Sequence, residues 1–308
     1  MPNATPRSVA AYAETAPGDV GPDVPPASRL LATLLQDRTM LVAVAVLLVI
    51  ALGALLAPWV TRYDPSQQFD VARLLLPPSA DHWFGTDPLS RDVFSRVVYG
   101  ARVSLAVALL AMSLSIGIGT VYGAVAGYAG GTLDATMMRS LDALLSIPRV
   151  LLLLGVLSLW GQLSTKSLVV LIGVTGWFGV ARLVRAQVLA LREREFVAAS
   201  RALGARRWRI LVRHILPHVS SPVLVAATLG IGNVIIVEAG LSFLGYGVPV
   251  PQPSWGSILR DAHPYLNTQI GWWLTVFPGL ALVITVLAVN VLSDRLRAAM
   301  NPRQLPAS

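Results

Sequence analysis

Few residues of this 308-residue chain are suited to chemistry, and their spacing argues against an active site. His214 and His218 have the i, i+4 spacing of a helical metal-binding pair, but Pro217 lies between them and no third ligand is close in sequence. The chain has no cysteine, no Gly-x4-Gly-Lys-Ser/Thr phosphate loop, and no Gly-x-Ser-x-Gly or His-Glu-x-x-His motif. We therefore predict that it is not an enzyme, binds no metal and has no cofactor of its own.

Glu238 is the only acidic residue embedded near a long apolar segment of the sequence. An ionisable group within a membrane is a candidate for function, for example as a proton relay. Because Glu238 lies close to one end of its apolar segment, we favour a local hydrogen-bonding role over proton transfer.

The overall composition explains why ionisable residues are so rare. The chain is 55% hydrophobic and only 13% charged, with a mean hydropathy of +0.65. Soluble domains have roughly 25% charged residues. Long charge-free segments separate the charged ones, so the composition predicts an integral membrane protein. The net charge of +8 is then explained by membrane topology and contact with anionic lipid, not by nucleic acid.

Charge-free apolar segments predict six transmembrane helices and hence an all-α membrane fold. The first, residues 39–61, would be about 34 Å long as a helix, enough to cross a hydrocarbon core of about 30 Å. Pro148 lies near the start of the third predicted span, residues 144–160, where proline is tolerated. The other five predicted spans fall within residues 103–133, 144–160, 167–181, 219–237 and 272–293.

The remaining segments complete the predicted organisation. Residues 1–28 contain six prolines and no long apolar run, which predicts a disordered tail before the first span within 29–61. Residues 62–102 form a loop that is either a solvated connector or, from Asp87 to Arg102, an amphipathic helix on the membrane surface. Residues 103–297 form the core, and residues 298–308 a second tail.

The distribution of cations predicts the orientation. Six spans place both termini on one side, and that side receives 17 of the 24 Lys and Arg residues. The positive-inside rule therefore predicts that both termini are cytoplasmic. Four tryptophans fall at predicted outer ends of spans, as an aromatic belt requires: Trp59, Trp160, Trp272 and Trp273.

Two rows of glycines lie on predicted spans. Gly119, Gly123 and Gly127 form a small-xxx-small row that allows close helix packing, and we favour packing over a gating role. The same interpretation applies to a second row, formed by Gly173, Gly176 and Gly179.

The most informative segment lies between the fourth and fifth predicted spans. Residues 182–213 contain nine arginines in a stretch of high helix propensity, broken at Gly204 and closed at Pro217. This pattern predicts two short helices that meet at a glycine. The segment either docks a partner protein or is a basic loop that only sets orientation. Apolar residues spaced among the arginines favour a buried contact with a partner: Phe196, Leu203, Trp208 and Ile210.

The segment Ala198-Ala-Ser-Arg-Ala-Leu-Gly204, followed after nine residues by His214-Ile-Leu-Pro217, resembles the EAA loop of ABC importer permeases. Over residues 29–297 the chain is similar to the C-type permease subunit of the dipeptide/oligopeptide/nickel group. Further stretches carry this resemblance: Phe84-Gly-Thr-Asp-Pro-Leu-Ser-Arg-Asp-Val-Phe-Ser-Arg96, Tyr99-Gly-Ala-Arg-Val-Ser-Leu105, Leu145-Ser-Ile-Pro148, Trp177 to Arg185, Arg192-Glu-Arg-Glu-Phe196, Glu238-Ala-Gly-Leu-Ser-Phe-Leu-Gly245 and Pro253-Ser-Trp-Gly256.

The chain departs from this family at the residue that gives the loop its name. The family's Glu, six residues before the Gly, is Ala198 here, and Glu195 lies about one helical turn upstream as a possible substitute. The resemblance implies that residues 192–217 couple the chain to an ATPase. The residues it assigns to coupling are Glu195, Ala198, Ala199, Arg201, Gly204, Arg207, Leu216 and Pro217.

The resemblance implies an importer permease of MetI-like architecture in the inner membrane of a prokaryote, importing di- or oligopeptides by alternating access. Its partners would be a second permease subunit, two ATPase subunits that hold ATP and Mg, an extracytoplasmic substrate-binding protein and membrane lipid. Nickel or another small solute stays open as the substrate. A secondary transporter or channel, and a scaffold without transport, are the rival interpretations. Contact between residues 245–271 and the substrate-binding protein also stays open.

Overall fold

A computed structural model describes residues 37–68, 70–161, 163–266, 268 and 271–300, and all regular structure within them is helical. The predicted disordered tail, residues 1–28, lies outside the described residues. In chain order the helices are α1 (Arg38–Leu55), α2 (Ala57–Val60), α3 (Val93–Ala129), α4 (Gly131–Leu145), α5 (Arg149–Trp160), α6 (Thr165–Gly176), α7 (Phe178–Arg192), α8 (Glu195–Ala202), α9 (Arg207–Ile210), α10 (Leu216–Phe243), α11 (Trp255–Ala262) and α12 (Trp272–Ala299).

Among the described residues, four helices are long and apolar enough to cross a membrane without a break: α1, α3, the continuous run Arg207–Phe243, and α12. The other two predicted spans are bent pairs, with α4 and α5 at 73° and α6 and α7 at 40°. The chain therefore has between four and six candidate spans, and it reaches six only if each bent pair crosses once. Pro148 precedes α5 as its N-cap residue, which explains the first of these breaks.

Helix α3 begins ten residues earlier than the predicted second span. The Asp92 carboxylate caps it by accepting a hydrogen bond from the Ser95 backbone N–H at 2.8 Å. The prediction of a separate surface helix from Asp87 to Arg102 is therefore wrong, because the residues from Val93 onward belong to α3. With 37 residues α3 is about 55 Å long, so it extends well beyond a hydrocarbon core of about 30 Å.

The first glycine row brings α3 and α7 into backbone contact, as predicted. A Cβ atom on Gly119 would lie 2.6 Å from Val180 Cβ, and one on Gly123 would lie 2.3 Å from the Ala181 carbonyl oxygen. Gly127 faces the Arg185 carbonyl in the same way. Only glycine therefore fits at these three positions without moving the two helices apart.

The second row is confirmed only in part. Gly173 faces Leu114 and Gly176 faces the Ser115 hydroxyl, so both let α6 approach α3. Gly179 has open space around it, and its predicted packing role is wrong.

The substitution Gly123→Val should destabilise the fold because the new side chain collides with the α7 backbone. Overpacking of this kind costs about 1–3 kcal/mol or more. Gly117→Val is the matched control, because Gly117 lies on the same helix and a Cβ atom added there would have nothing within 4 Å. Thermal unfolding of the detergent-solubilised protein should show a lower midpoint for Gly123→Val alone. Equal midpoints would contradict the packing role of this row.

Three of the four tryptophans predicted to form an aromatic belt have the exposure that a belt requires, and the fourth does not. Trp59, Trp160 and Trp272 are exposed, whereas Trp273 is only 3% exposed. The Trp273 indole N–H donates to the Thr86 carbonyl oxygen at 3.1 Å, so this side chain belongs to the core and not to the belt.

Candidate functional site

The two ends of the helical bundle differ in character. One end, here called the loop end, carries residues 192–217, and the other, here called the far end, carries residues 62–92 and 245–268. Contacts of α3 define the two ends. At the loop end, the Gly127 carbonyl near the last turn of α3 accepts a hydrogen bond from Arg192. At the far end, the Val97 carbonyl near the first turn of α3 accepts one from Trp255.

At the loop end, the helical structure breaks at a glycine, as predicted, but only α8 is a short helix, because α9 continues into α10. Gly204 adopts φ +77°, a left-handed conformation that glycine tolerates best. The Ala205 N–H donates to the Ser200 carbonyl at 3.1 Å, and the Gly204 N–H donates to the Arg201 carbonyl at 2.9 Å. These two bonds form a Schellman motif, which ends α8 and fixes the direction in which the chain leaves it.

Pro217 does not close this segment, contrary to the prediction. It occupies the second position of α10, directly after a π-helical turn in which the Leu216 N–H donates to the Leu211 carbonyl, and this wider turn accommodates a proline within the helical run. A π-helical turn, Leu211–Ile215, connects α9 to α10, so one unbroken helical run extends from Arg207 to Phe243. The exposed loop therefore continues directly into a candidate span.

Buried apolar residues anchor the segment to the bundle. Val197, Ile210 and Ile215 are fully buried and pack in one cluster with Val184 and Val188 of α7. Ile210 was predicted to contact a partner, and this is wrong, because its contacts lie within the chain. Leu216 is half-buried against the same cluster.

The outer surface of the segment is exposed and mixes apolar and basic groups. Leu203 is 89% exposed and Trp208 is 70% exposed, both unusual for large apolar side chains. The remaining predicted coupling residues on this surface are exposed as well: Glu195, Ala198, Ala199, Arg201, Gly204, Arg207 and Pro217. We call the exposed residues 195–209 the loop surface.

The segment also forms one wall of a cavity of about 770 Å³ at the loop end. Arg201 and Arg207 face this cavity from the segment, and Arg192 and Tyr128 face it from α7 and α3. The sequence pattern indicated Arg201 and Arg207 separately, and the structure brings them to the same space. A cavity with three guanidinium groups and one carboxylate, Glu193, favours a carboxylate or another anionic partner.

The histidine pair takes part in packing. His218 stacks on Phe196 with ring centroids 5.3 Å apart, and its Nδ1 lies 2.7 Å from the His214 carbonyl oxygen. No group of three potential metal ligands occurs in the part of the chain that the structure describes.

Ion pairs that sequence analysis missed tie α7 to α4 near the loop end. The Arg185 guanidinium donates twice to the Asp134 carboxylate, at 2.5 and 2.6 Å, and Arg182 pairs with Asp142. The partners of these ion pairs lie 40 and 51 residues apart, so the sequence around each residue does not indicate its partner. The only signal was the presence of two acidic residues on α4 and two arginines on α7 that could pair.

At the far end, the segment before α3 is locked to α11 by a buried ionic cluster. The Asp87 carboxylate accepts hydrogen bonds from Arg91 Nε at 2.6 Å and Arg96 Nη1 at 2.5 Å. Both arginines also donate to Asp261, each at 3.0 Å. This part of residues 62–102 is therefore a packed structural element and not a solvated connector.

Glu238 has the local hydrogen-bonding role that we predicted. Its carboxylate is fully buried and accepts hydrogen bonds from the Ser104 hydroxyl at 2.9 Å and the Ser242 hydroxyl at 2.6 Å. The Ser254 hydroxyl extends the network by donating to Ser242 at 3.1 Å. Glu238 thus joins α10 to α3 and to the start of α11.

Two family models match the chain. Residues 119–305 match the family described as "Binding-protein-dependent transport system inner membrane component". Residues 26–78 match the "N-terminal TM domain of oligopeptide transport permease C". Together they cover most of the chain.

Curated relatives and a solved structure agree with these models. The chain is 38% identical to the dipeptide transport system permease protein DppC of Bacillus subtilis over 88% of this chain and 83% of that protein. It is 39% identical to OppC, the oligopeptide transport system permease protein of the same species, over 87% of each. A putative peptide permease protein of Brucella suis is 41% identical over 94% of each.

The fold is that of a chain in the inward-facing MetNI methionine ABC transporter, with a TM-score of 0.53, 23% identity, and coverage of 66% of this chain and 96% of that one. The sequence comparisons and the fold agree. The chain therefore belongs to the inner-membrane components of binding-protein-dependent ABC importers, as a C-type permease subunit of the dipeptide/oligopeptide/nickel group.

Proposed function

We propose that this chain is a permease subunit of an ATP-driven importer of di- or oligopeptides, coupled to a cytoplasmic ATPase through the loop surface. The observation that carries the proposal is the exposed apolar pair Leu203 and Trp208, held at 89% and 70% exposure on a firmly anchored segment. A large exposed apolar group on a rigid support is typical of a protein interface.

The coupling residues have distinct roles in this proposal. Gly204 sets the angle between α8 and α9, while Ala198 and Ala199 keep the surface of α8 low enough for close approach. Arg201 and Arg207 supply positive charge for an acidic partner surface. Glu195, exposed in the first turn of α8 and without an ion pair to any described residue, replaces the family Glu that is Ala198 here. Leu216 and Pro217 begin the helix that carries motion away from the surface.

Transport then follows alternating access. Closure of two ATPase subunits, which hold ATP and Mg, displaces the loop surface, and the attached helices reorient a pathway shared with a second permease subunit. This assignment puts the loop end and both termini in the cytoplasm, in accord with the positive-inside rule. The far end then faces an extracytoplasmic substrate-binding protein.

The peptide substrate is supported by the names of the dipeptide and oligopeptide permeases to which the chain is similar. Nickel or another small solute is the alternative within the same group. A substrate-binding protein purified with the complex and titrated with di- and oligopeptides and with Ni²⁺ distinguishes these alternatives by which ligand binds.

The substitution Leu203→Glu tests the docking surface. Removing this leucine from an interface should weaken binding about tenfold, which corresponds to about 1.5 kcal/mol of lost apolar burial. Val71→Glu is the control, because Val71 is also highly exposed, at 76%, but lies at the far end. The measurement is recovery of the ATPase subunits with tagged permease in detergent. Equal recovery from both variants would contradict docking at the loop surface, and uptake that persists without any ATPase would favour a secondary transporter.

A further inference from the structure

A groove at the far end lies away from the loop surface and holds none of the residues assigned to coupling. It lies between α3 and α6, has a volume of about 750 Å³, and is bounded by residues 64–66 on one side and 251–253 on the other. The Thr165 hydroxyl donates to the Gln252 side-chain oxygen at 3.2 Å, so the start of α6 is fastened to this rim.

The wall of the groove is apolar, and it follows one face of α3. Its residues recur at helical spacing, and valines of α6 complete it on the opposite side. The wall residues are Val103, Ala106, Leu110 and Leu114 of α3, with Val169 and Val170 of α6.

The mouth of the groove is charged. Arg102 and Lys166, the only lysine of the chain, both line it, and neither forms an ion pair with a described residue. Each lies at the boundary where a charge-free segment begins: residues 103–133 follow Arg102, and residues 167–181 follow Lys166. Both cations therefore lie at the level where hydrocarbon gives way to headgroups.

Asp64 adds one negative charge to the same mouth. Its carboxylate accepts hydrogen bonds from the Ser66 hydroxyl and, at 2.8 Å, from the Ser66 N–H. The Ser66 hydroxyl, as the main cause, lowers the pKa of Asp64, so the carboxylate is ionised at neutral pH. The mouth thus offers two positive groups and one negative group above an apolar wall.

The depth of the groove matches one leaflet of a membrane. From Arg102 to Leu114 is 12 residues of helix, about 18 Å, while half of a hydrocarbon core is about 15 Å. A peptide in this groove would leave its amide groups without hydrogen-bond partners below the mouth, which is unfavourable. An acyl chain has no polar groups along its length and therefore needs no hydrogen-bond partners there.

We propose that this groove binds one phospholipid of the surrounding membrane, with an ammonium-bearing headgroup of the phosphatidylethanolamine type. Arg102 and Lys166 bind the phosphate, Asp64 accepts hydrogen bonds from the ammonium group, and an acyl chain lies along Val103, Ala106, Leu110 and Leu114. The lipid would join α3 to α6 at the far end. These two helices are also joined by Gly173 and Gly176 deeper in the bundle.

Native mass spectrometry of the detergent-purified permease complex tests the proposal, with phosphatidylethanolamine or phosphatidylglycerol of identical acyl chains added in turn. We expect retention of one phosphatidylethanolamine at least fivefold above phosphatidylglycerol. The double substitution Arg102→Gln and Lys166→Gln should reduce retention at least tenfold. Equal retention of the two lipids, or unchanged retention by the double variant, would overturn the proposal.

A neighbouring pair of leucines gives a matched steric control. Leu110, 60% exposed, lines the groove, whereas Leu109, 53% exposed, lies beside it in sequence on another face of α3. Leu110→Trp should displace the lipid, and Leu109→Trp should not. If Leu110→Trp instead releases the second permease subunit, or if only added peptide competes for the groove, the occupant is not a phospholipid.

Discussion

Replacing Gly204 with valine is expected to reduce ATP-driven uptake about 30- to 150-fold while the permease still inserts into the membrane and assembles. Gly204 has φ +77°, and a Cβ atom added there would have nothing within 4 Å, so the effect comes from the backbone alone. A β-branched residue held in this conformation costs about 2–3 kcal/mol, which corresponds to that range of populations. Uptake and ATP hydrolysis in proteoliposomes are the measurements, and hydrolysis should become independent of transport.

Two further variants separate the conformation of Gly204 from general damage. Gly204→Asn should keep most of the uptake, because asparagine adopts the left-handed conformation more readily than other residues with a side chain. Gly161→Val also places valine at a positive φ, +71°, in open space, and its ψ of −148° makes the strain at least as large, but at the end of α5. Normal transport by Gly204→Val, or equal losses in all three variants, would contradict a coupling role for the α8–α9 corner.

Removing the Asp87 carboxylate is expected to lower the free energy of unfolding by about 3–5 kcal/mol, as is usual when one member of a buried ion pair is lost. The Asp87→Ala variant would leave Arg91 and Arg96, 8% and 4% exposed, to share Asp261 as their remaining carboxylate among the contacts described. Chemical denaturation of the purified protein in detergent gives the free energy directly.

A surface pair serves as the control for this experiment. Asp81 lies 3.6 Å from Arg62, and both side chains are more than 70% exposed, so Asp81→Ala should change stability by less than about 1 kcal/mol. Asp87→Asn retains an oxygen that can accept from the Leu89 and Arg91 backbone N–H groups, and it should recover part of the loss. Similar effects of Asp81→Ala and Asp87→Ala would show that the buried cluster adds no stability.

Features governed by local sequence were predictable, and those that depend on distant contacts were not. The break at Gly204 followed from helix propensity and glycine conformation within one short segment. The Gly119–Gly127 row followed from spacing along one helix. In contrast, Asp87 and Asp261 are 174 positions apart, and nothing near either residue indicates that they share two arginines.

The predicted spans did not include the bends in two of the helix pairs. The length of an apolar segment indicates the length of a helix but not its direction. Pro148 was therefore the only sign in the sequence of the 73° break between α4 and α5. The prediction at Pro217 was wrong for a related reason. Proline disrupts a regular α-helix by removing an i→i−4 hydrogen bond, whereas here the π-helical turn Leu211–Ile215 precedes Pro217 and lets the helical run continue past it.

The glycine row between α3 and α7 has a mechanical consequence. Three successive turns of α3 touch the α7 backbone without side chains between them, and interiors packed this closely resist compression. Since α7 leads into α8 through only two residues, a push on the loop surface moves α7 and α3 together as one stiff beam. Gly173 and Gly176 hold α6 against α3 as well, so the 40° bend between Gly176 and Phe178 is braced by α3 on both sides and belongs to the same stiff unit.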